Sequence, residues 1–204
     1  MIIIGLTGQS GAGKTTVCET FEKNGFCIIN ADIVAREVMS NGSECLLKTA
    51  ETFDGILLSD GSLDRKKLAD IVFSNKEKLK AYERIIYPYI LSSINEKISF
   101  YKKVGCEYLL LDAPTLFESG ADALCDKIIS VISDKNTRLI RILKRDNITA
   151  EQAEKRLNSQ KNDIYYREKS DYVIENNGSY DELQKEAENV ISLIKESCNA
   201  KKSQ

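Results

Sequence analysis

Eight residues, Gly8-Gln9-Ser10-Gly11-Ala12-Gly13-Lys14-Thr15, constrain this chain more than any other stretch of it. They match the pattern GxxxxGK[ST] and stand between an apolar run, 2–7, and a run of helical character, 14–24. The pattern alone would arise by chance in about one chain in a hundred of this length, and the strand–loop–helix setting makes it rarer. Glycines let the backbone curl so that successive N–H groups point at one anion, and the helix N-terminus adds partial positive charge. The loop residues Gly8, Ser10, Gly11, Ala12 and Gly13, with Lys14, Thr15 and Thr16, are therefore expected to hold a nucleoside triphosphate. Lys14 reaches the β- and γ-phosphates as a point charge, and the Thr15 hydroxyl is placed to ligate Mg²⁺.

Four further runs, 26–29, 107–112, 127–132 and 172–174, read with 2–7 as buried strands. They are continuously apolar, as parallel strands covered on both faces are, rather than alternating. Helical spacing separates them at 14–24, 135–146 and 180–197. The last of these puts Leu183, Ala187, Val190, Ile191 and Ile194 on one face. The alternation predicts an α/β fold, a three-layer α/β/α nucleotide-binding core with a five-stranded parallel sheet.

From 31 to 104 the alternation stops and the chain reads as almost wholly helical. Leu79, Tyr82, Ile86, Ile90 and Ile94 recur at three- and four-residue steps, Pro88 predicts a break or kink, and Gly42, Asp54-Gly55 and Asp60-Gly61 mark turns. Such a segment is either an insertion capping a cleft or ordinary crossover packing. The polar tail 200–204 is expected to fray.

Histidine is absent, which excludes Ser-His-Asp and Cys-His nucleophile systems, HExxH zinc sites and a histidine base. Twenty-nine basic against 31 acidic residues, net −2, disfavour a nucleic-acid partner. The six cysteines show no CxxC pair, and no run has the length of a signal or membrane segment. A cytoplasmic chain with reduced thiols is expected, with Cys18 and Cys27 packing as small apolar residues.

Two carboxylates stand at expected strand ends. Asp112 suits the outer shell of Mg²⁺ or the cap of the turn before Pro114. Asp32 suits the activation of an acceptor hydroxyl or the N-cap of a helix over 33–39. Arg138, Arg141 and Arg145 share one helical face by spacing, which fits a phosphate-binding lid or plain solvated surface. GTPase signatures fail, since Asn75-Lys76-Glu77-Lys78 is not NKxD and Asp112-Ala113-Pro114-Thr115 is not DxxG. The residues then suit a small-molecule kinase, on a nucleoside, nucleotide or shikimate-like alcohol among others, or a nucleotide-gated binding protein without transfer chemistry.

Several motifs in order resemble the dephospho-coenzyme A kinase family. After the loop come Ala31-Asp32-Ile33 with Ala35-Arg36, then Asp60-Gly61-Ser62-Leu63-Asp64-Arg65 and Asp112-Ala113-Pro114-Thr115-Leu116-Phe117-Glu118. Arg141 through Arg145-Asp146, Arg156-Leu157-Asn158-Ser159-Gln160 and Asp171-Tyr172-Val173-Ile174-Glu175-Asn176-Asn177-Gly178 follow. The chain departs from the family pattern at Tyr87-Pro88 (usually His-Pro), Thr115 (usually Leu) and Asn30 (often Asp).

The resemblance implies ATP-dependent phosphorylation of the ribose 3′-hydroxyl of dephospho-CoA, with ATP and Mg²⁺ as cofactors. It implies a core of 1–32 and 105–204 with a lid at about 135–165, and a substrate-binding helical region at 33–104. Catalytic roles would fall to Lys14, Asp32, Arg141 and Arg145, and ATP contacts outside the loop to Arg138, Asn177 and Gly178. Dephospho-CoA contacts would come from Asp32, Leu63, Arg65, Tyr87, Glu118, Arg156 and Gln160, and metal contacts from Thr15 and, through water, Asp112. A monomer or weak homo-oligomer, acting on a small molecule away from nucleic acid and membrane, is expected.

Overall fold

Continuous apolar runs become parallel strands here because helices cover both of their faces. In the computed structural model, which describes residues 1–202, the strands are β1 (Ile2–Gly8), β2 (Cys27–Asn30), β3 (Tyr108–Asp112), β4 (Lys127–Ile132) and β5 (Tyr172–Glu175). They pair in parallel in the order β2-β3-β1-β4-β5. The five expected strands are all present, β4 with the expected bounds and the others with ends shifted by one residue at most. Register sets Asp112 beside both Leu6 and Asn30, so the ends of β1, β2 and β3 meet at one edge of the sheet. Ligands of open parallel sheets bind at that edge.

One face is covered by α1 (Lys14–Lys23) and α9 (Tyr180–Lys202). Val17 and Phe21 pack there with Leu183, Ala187, Val190, Ile191 and Ile194, the face expected from helical spacing. Side chains beyond Cys198 and residues 203–204, where the tail was expected to fray, lie outside the described residues. The other face carries α2 (Ala31–Val38), α3 (Glu44–Thr52), α4 (Arg65–Phe73) and α5 (Lys76–Lys103). Their apolar sides join those of the sheet in one core, from Leu109 and Leu111 out to Leu46, Ile86 and Ile94.

Of the break or kink expected in α5, the break does not occur at Pro88. A single 28-residue helix passes through it. Proline forfeits one helical hydrogen bond, but Ile86, Ile90 and Ile94 bury on both sides of it and outweigh that loss. Among the described residues no helix is long and apolar enough to cross a membrane.

Two local features bear on the site. Asn30, not Asp32, is the N-cap of α2: its Oδ1 accepts from the Ile33 N–H at 3.0 Å while its Nδ2 donates to Asp112 Oδ2 at 3.1 Å. Asn30→Ala should lower stability by about 1–2 kcal/mol, read as a lower denaturant midpoint; an unchanged midpoint would show the cap to be dispensable. Cys27 and Cys106 form a disulfide, which corrects the expectation of reduced, separately packed thiols for this pair. They lie 79 residues apart in sequence, and the β2–β3 pairing brings their Cα atoms to 6.7 Å.

Beyond β4, α6 (Lys135–Asp146) and α7 (Ala150–Ser159) form a hairpin followed by α8 (Asp163–Lys169). Asn147 turns the hairpin at φ 50°, a conformation asparagine tolerates better than most residues. Thr149 and Gln152 close a capping box on α7, and Ile142, Ala153 and Leu157 pack between the two helices.

Candidate phosphate-transfer site

The loop after β1 needs glycine at two positions for stated reasons. A Cβ on Gly8, at φ 148°, would overlap the Val131 carbonyl of the neighbouring strand. A Cβ on Gly13, at φ 102°, would overlap the Asn176 amide. That amide is 5% exposed and donates to the Ala12 carbonyl at 2.7 Å, fixing the curl of the loop from the far end of β5. Gly13→Ala should cost more than about tenfold in ATP affinity by titration calorimetry. Gly25→Ala, at φ 88° with nothing within 4 Å, is the control for backbone strain alone and should leave that affinity unchanged.

The loop opens into a cleft of about 930 Å³. Gly8, Ser10, Gly11, Gly13, Lys14 and Thr15 line it, and so do Asp32, Glu118, Arg141, Arg145, Arg156 and Gln160. Twelve residues singled out in the sequence, from five separate segments, therefore meet in one cavity. Ala12 is buried in the core instead, and Thr16 lies outside the lining, one residue further along α1 than the exposed Thr15.

Charge in the cleft is partly paired. Lys14 is bonded to the Asp112 carboxylate, which Asn30 also holds, so Asp112 does not cap the turn before Pro114. Burial raises the Asp112 pKa, the Lys14 ammonium pulls it back down, and the Asp32 charge adds to the rise. Asp32 sits in the first turn of α2 with its side chain exposed. Freed of capping by Asn30, it is open to a ligand.

The three arginines of α6 do not act alike. Arg141 donates to the Asn176 carbonyl at 3.0 Å and to Asn176 Oδ1 at 3.2 Å, and it faces the cleft. Arg145 donates to both carboxylate oxygens of Asp146, which Arg156 also grips; this holds the Asp146 pKa down at about 2, mainly through Arg145. Arg138 departs from expectation. Only 6% exposed, it donates through Nε to the Ser133 carbonyl at 2.8 Å and through Nη1 to Gln160 Oε1 at 3.3 Å, and it stays out of the lining. It braces the base of α6.

Other expected residues stand further off. Asn177 Oδ1 accepts from Ser133 Oγ and the Asp134 N–H, and Asn177 and Gly178 line a separate polar groove of about 530 Å³. Leu63 packs in the insertion and bridges to Leu57, and Arg65 is exposed at the start of α4. Tyr87 stands behind the cleft wall, donating to Glu83 at 3.2 Å and interacting with Thr115 and Glu118; burial raises its pKa.

Sequence reasoning missed Gln9, Asn176, Lys161 and Phe73. Gln9 is 2% exposed, and its Nε2 donates to Asp163 Oδ1 at 2.7 Å and to the Lys161 carbonyl at 3.3 Å. Gln160 Oε1 accepts from the Ser10 N–H at 3.1 Å. The loop is thereby tied to the segment joining α7 and α8. Gln9 is a free position of the loop pattern, so no local signal could mark it; Asn176 had only its place in the last-strand motif.

A nucleotide loop after the central strand, carboxylates at the end of β3 and in the first turn of α2, and cations from a helical hairpin define the class, a P-loop kinase. The sequence profile of dephospho-CoA kinase matches residues 2–182. The dephospho-CoA kinase of Fusobacterium nucleatum is 41% identical over 199 residues, covering 95% of this chain and 99% of that one. The solved dephospho-CoA kinase of Campylobacter jejuni superposes with a TM-score of 0.71 at 30% identity, covering 96% and 98% of the two chains. A solved Thermus thermophilus protein reaches 0.80 at 28% identity, with 94% and 96% covered. This chain belongs to the dephospho-CoA kinase family.

Proposed function

We propose that the chain transfers the γ-phosphoryl group of ATP to the ribose 3′-hydroxyl of dephospho-CoA, giving CoA and ADP, the last step of coenzyme A biosynthesis. The observation that carries this reading is the meeting of Lys14, Asp32, Arg141, Arg145 and Arg156 around one cleft, in a chain of this family.

Asp32 orients the 3′-hydroxyl and takes its proton as the oxygen bonds to the γ-phosphorus and the bond to the β–γ bridging oxygen breaks, leaving ADP. Lys14 leaves Asp112 for the β- and γ-phosphates. Arg141 and Arg145, closing from the lid formed by α6 and α7, neutralise charge that grows in the transition state, and Arg156 adds to them. Arg138 serves ATP only by bracing that lid, and the groove at Asn177 and Gly178 takes the adenine end of ATP. The helical region with Leu63, Arg65 and Tyr87, edged by Glu118 and Gln160, receives dephospho-CoA.

The exposed Thr15 hydroxyl in the cleft and the Asp112 carboxylate, bonded to the cleft's Lys14, form a hard-oxygen donor set that fits Mg²⁺ held mainly by phosphate and water. When bound, the ion would neutralise charge on the β- and γ-oxygens. The proposal extends to a cytoplasmic monomer or weak homo-oligomer without a nucleic-acid partner, checked by sedimentation and by fractionation.

The test is ADP release with ATP, Mg²⁺ and dephospho-CoA, the product weighed for one added phosphate. Release that depends on dephospho-CoA with that mass gain is expected. Bound ATP without release, or release driven by another alcohol or nucleotide and not by dephospho-CoA, would overturn the reading.

A further inference from the structure

Phe73 is 74% exposed, the most exposed of the large hydrophobic side chains described. Val72 beside it is 2% exposed and sits in the core of the insertion. One residue further turns the side chain about 100° around the helix, and Phe73 leaves that core and lines the cleft with Asp32 and Lys14. An isolated exposed apolar residue needs no explanation. A bare aromatic ring at the end of a helix, forming one wall of the cleft that holds the phosphate loop, is a different case, because whatever fills the cleft covers the ring.

The chemistry of the acceptor limits what that is. Its reacting hydroxyl must come to Asp32, and the adenine base is carried by the same ribose. The base is therefore the flat, apolar part of the acceptor held nearest to the reacting oxygen, while the pantetheine arm leaves through the pyrophosphate. Aromatic rings stack on bases through their π-faces, and aliphatic side chains of equal size do so less well.

We infer that Phe73 is a specificity residue, the platform on which the adenine of the acceptor stacks so that its 3′-hydroxyl meets Asp32. The inference rests on the proposed function and adds to it the part of the substrate that the insertion reads. Because α4 ends at Phe73, the ring can meet the base without disturbing Leu68 and Val72 inside the core.

The test uses the full chain and compares Phe73→Ala, Phe73→Leu and Phe73→Tyr. Phe73→Ala is expected to lower kcat/KM for dephospho-CoA by about 5- to 150-fold, the value of one base stack. Its KM for ATP should stay within about twofold of wild type. Phe73→Tyr should recover most of the loss and Phe73→Leu little of it. With the phosphate loop filled by a non-hydrolysable ATP analogue, calorimetric binding of ADP, which is the acceptor without its pantetheine arm, should show the same penalty in Phe73→Ala.

An unchanged kcat/KM in Phe73→Ala would overturn the inference. So would full recovery by Phe73→Leu, or a penalty that vanishes with the armless acceptor, which would give the ring to the arm. A wild-type chain that fails to phosphorylate dephospho-CoA would instead remove the proposed function, and this inference with it.

Discussion

Lys14→Ala should lower kcat by about 10³-fold and should also weaken the fold. The first effect follows from losing a cation that meets the transferring phosphoryl group, since single donors aimed at transition-state charge are worth about 10²–10³ each in rate. The second follows from the ion pair. Asp112 is almost fully buried, and without Lys14 its carboxylate keeps Asn30 as its remaining hydrogen-bond partner.

Removing one partner of a buried pair costs about 3–5 kcal/mol, and a chain of this size loses about 2–4 °C of melting temperature per kcal/mol. The double variant Lys14→Ala with Asp112→Asn removes the orphaned charge, so its melting temperature should return most of the way while activity stays lost. Thermal melts and steady-state rates on both variants separate the two effects. Equal melting temperatures for wild type and Lys14→Ala would contradict the assigned burden on Asp112.

Asp32→Asn should act on rate alone. Losing a positioned proton acceptor costs about 10²–10⁴ in turnover. The fold should hold because Asn30 caps α2 and the Asp32 side chain is exposed. The expected result is a kcat lower by that factor, with ATP binding and the denaturation midpoint unchanged. Normal turnover in a sequence-verified Asp32→Asn protein would take the proton from Asp32 and leave positioning by Lys14 and the arginines as the source of catalysis.

Much of this site was legible in the sequence because its signals are local. Lys14 and Thr15 follow glycines whose spacing works only for a curled loop, and Asp32 and Asp112 end apolar runs that had to be strands. Asp32 was read with two roles left open, and the choice fell to Asn30, whose side chain reaches the cap first and thereby frees the carboxylate. Arg138 was misread for a related reason. Helical spacing says that Arg138, Arg141 and Arg145 share a face, but not where the neighbouring chain ends along it. Ser133 and Gln160 cover the first turn and leave the later ones open.

By itself the sequence determined the alternation of strands and helices, the phosphate loop and the family, since each rests on residues within one short stretch or on such stretches in order. Tertiary structure alone decided the order β2-β3-β1-β4-β5, which sets Asn30 and Asp112 side by side across 82 residues. It also decided that Asn176 holds Ala12 across 164 residues, that Cys27 meets Cys106, and that Phe73 turns out of its core toward Asp32. The physical reason is common to these contacts. Periodicity and propensity act over one or two turns of chain, whereas a hydrogen bond or a cavity wall depends on which distant segment packing brings within a few ångströms.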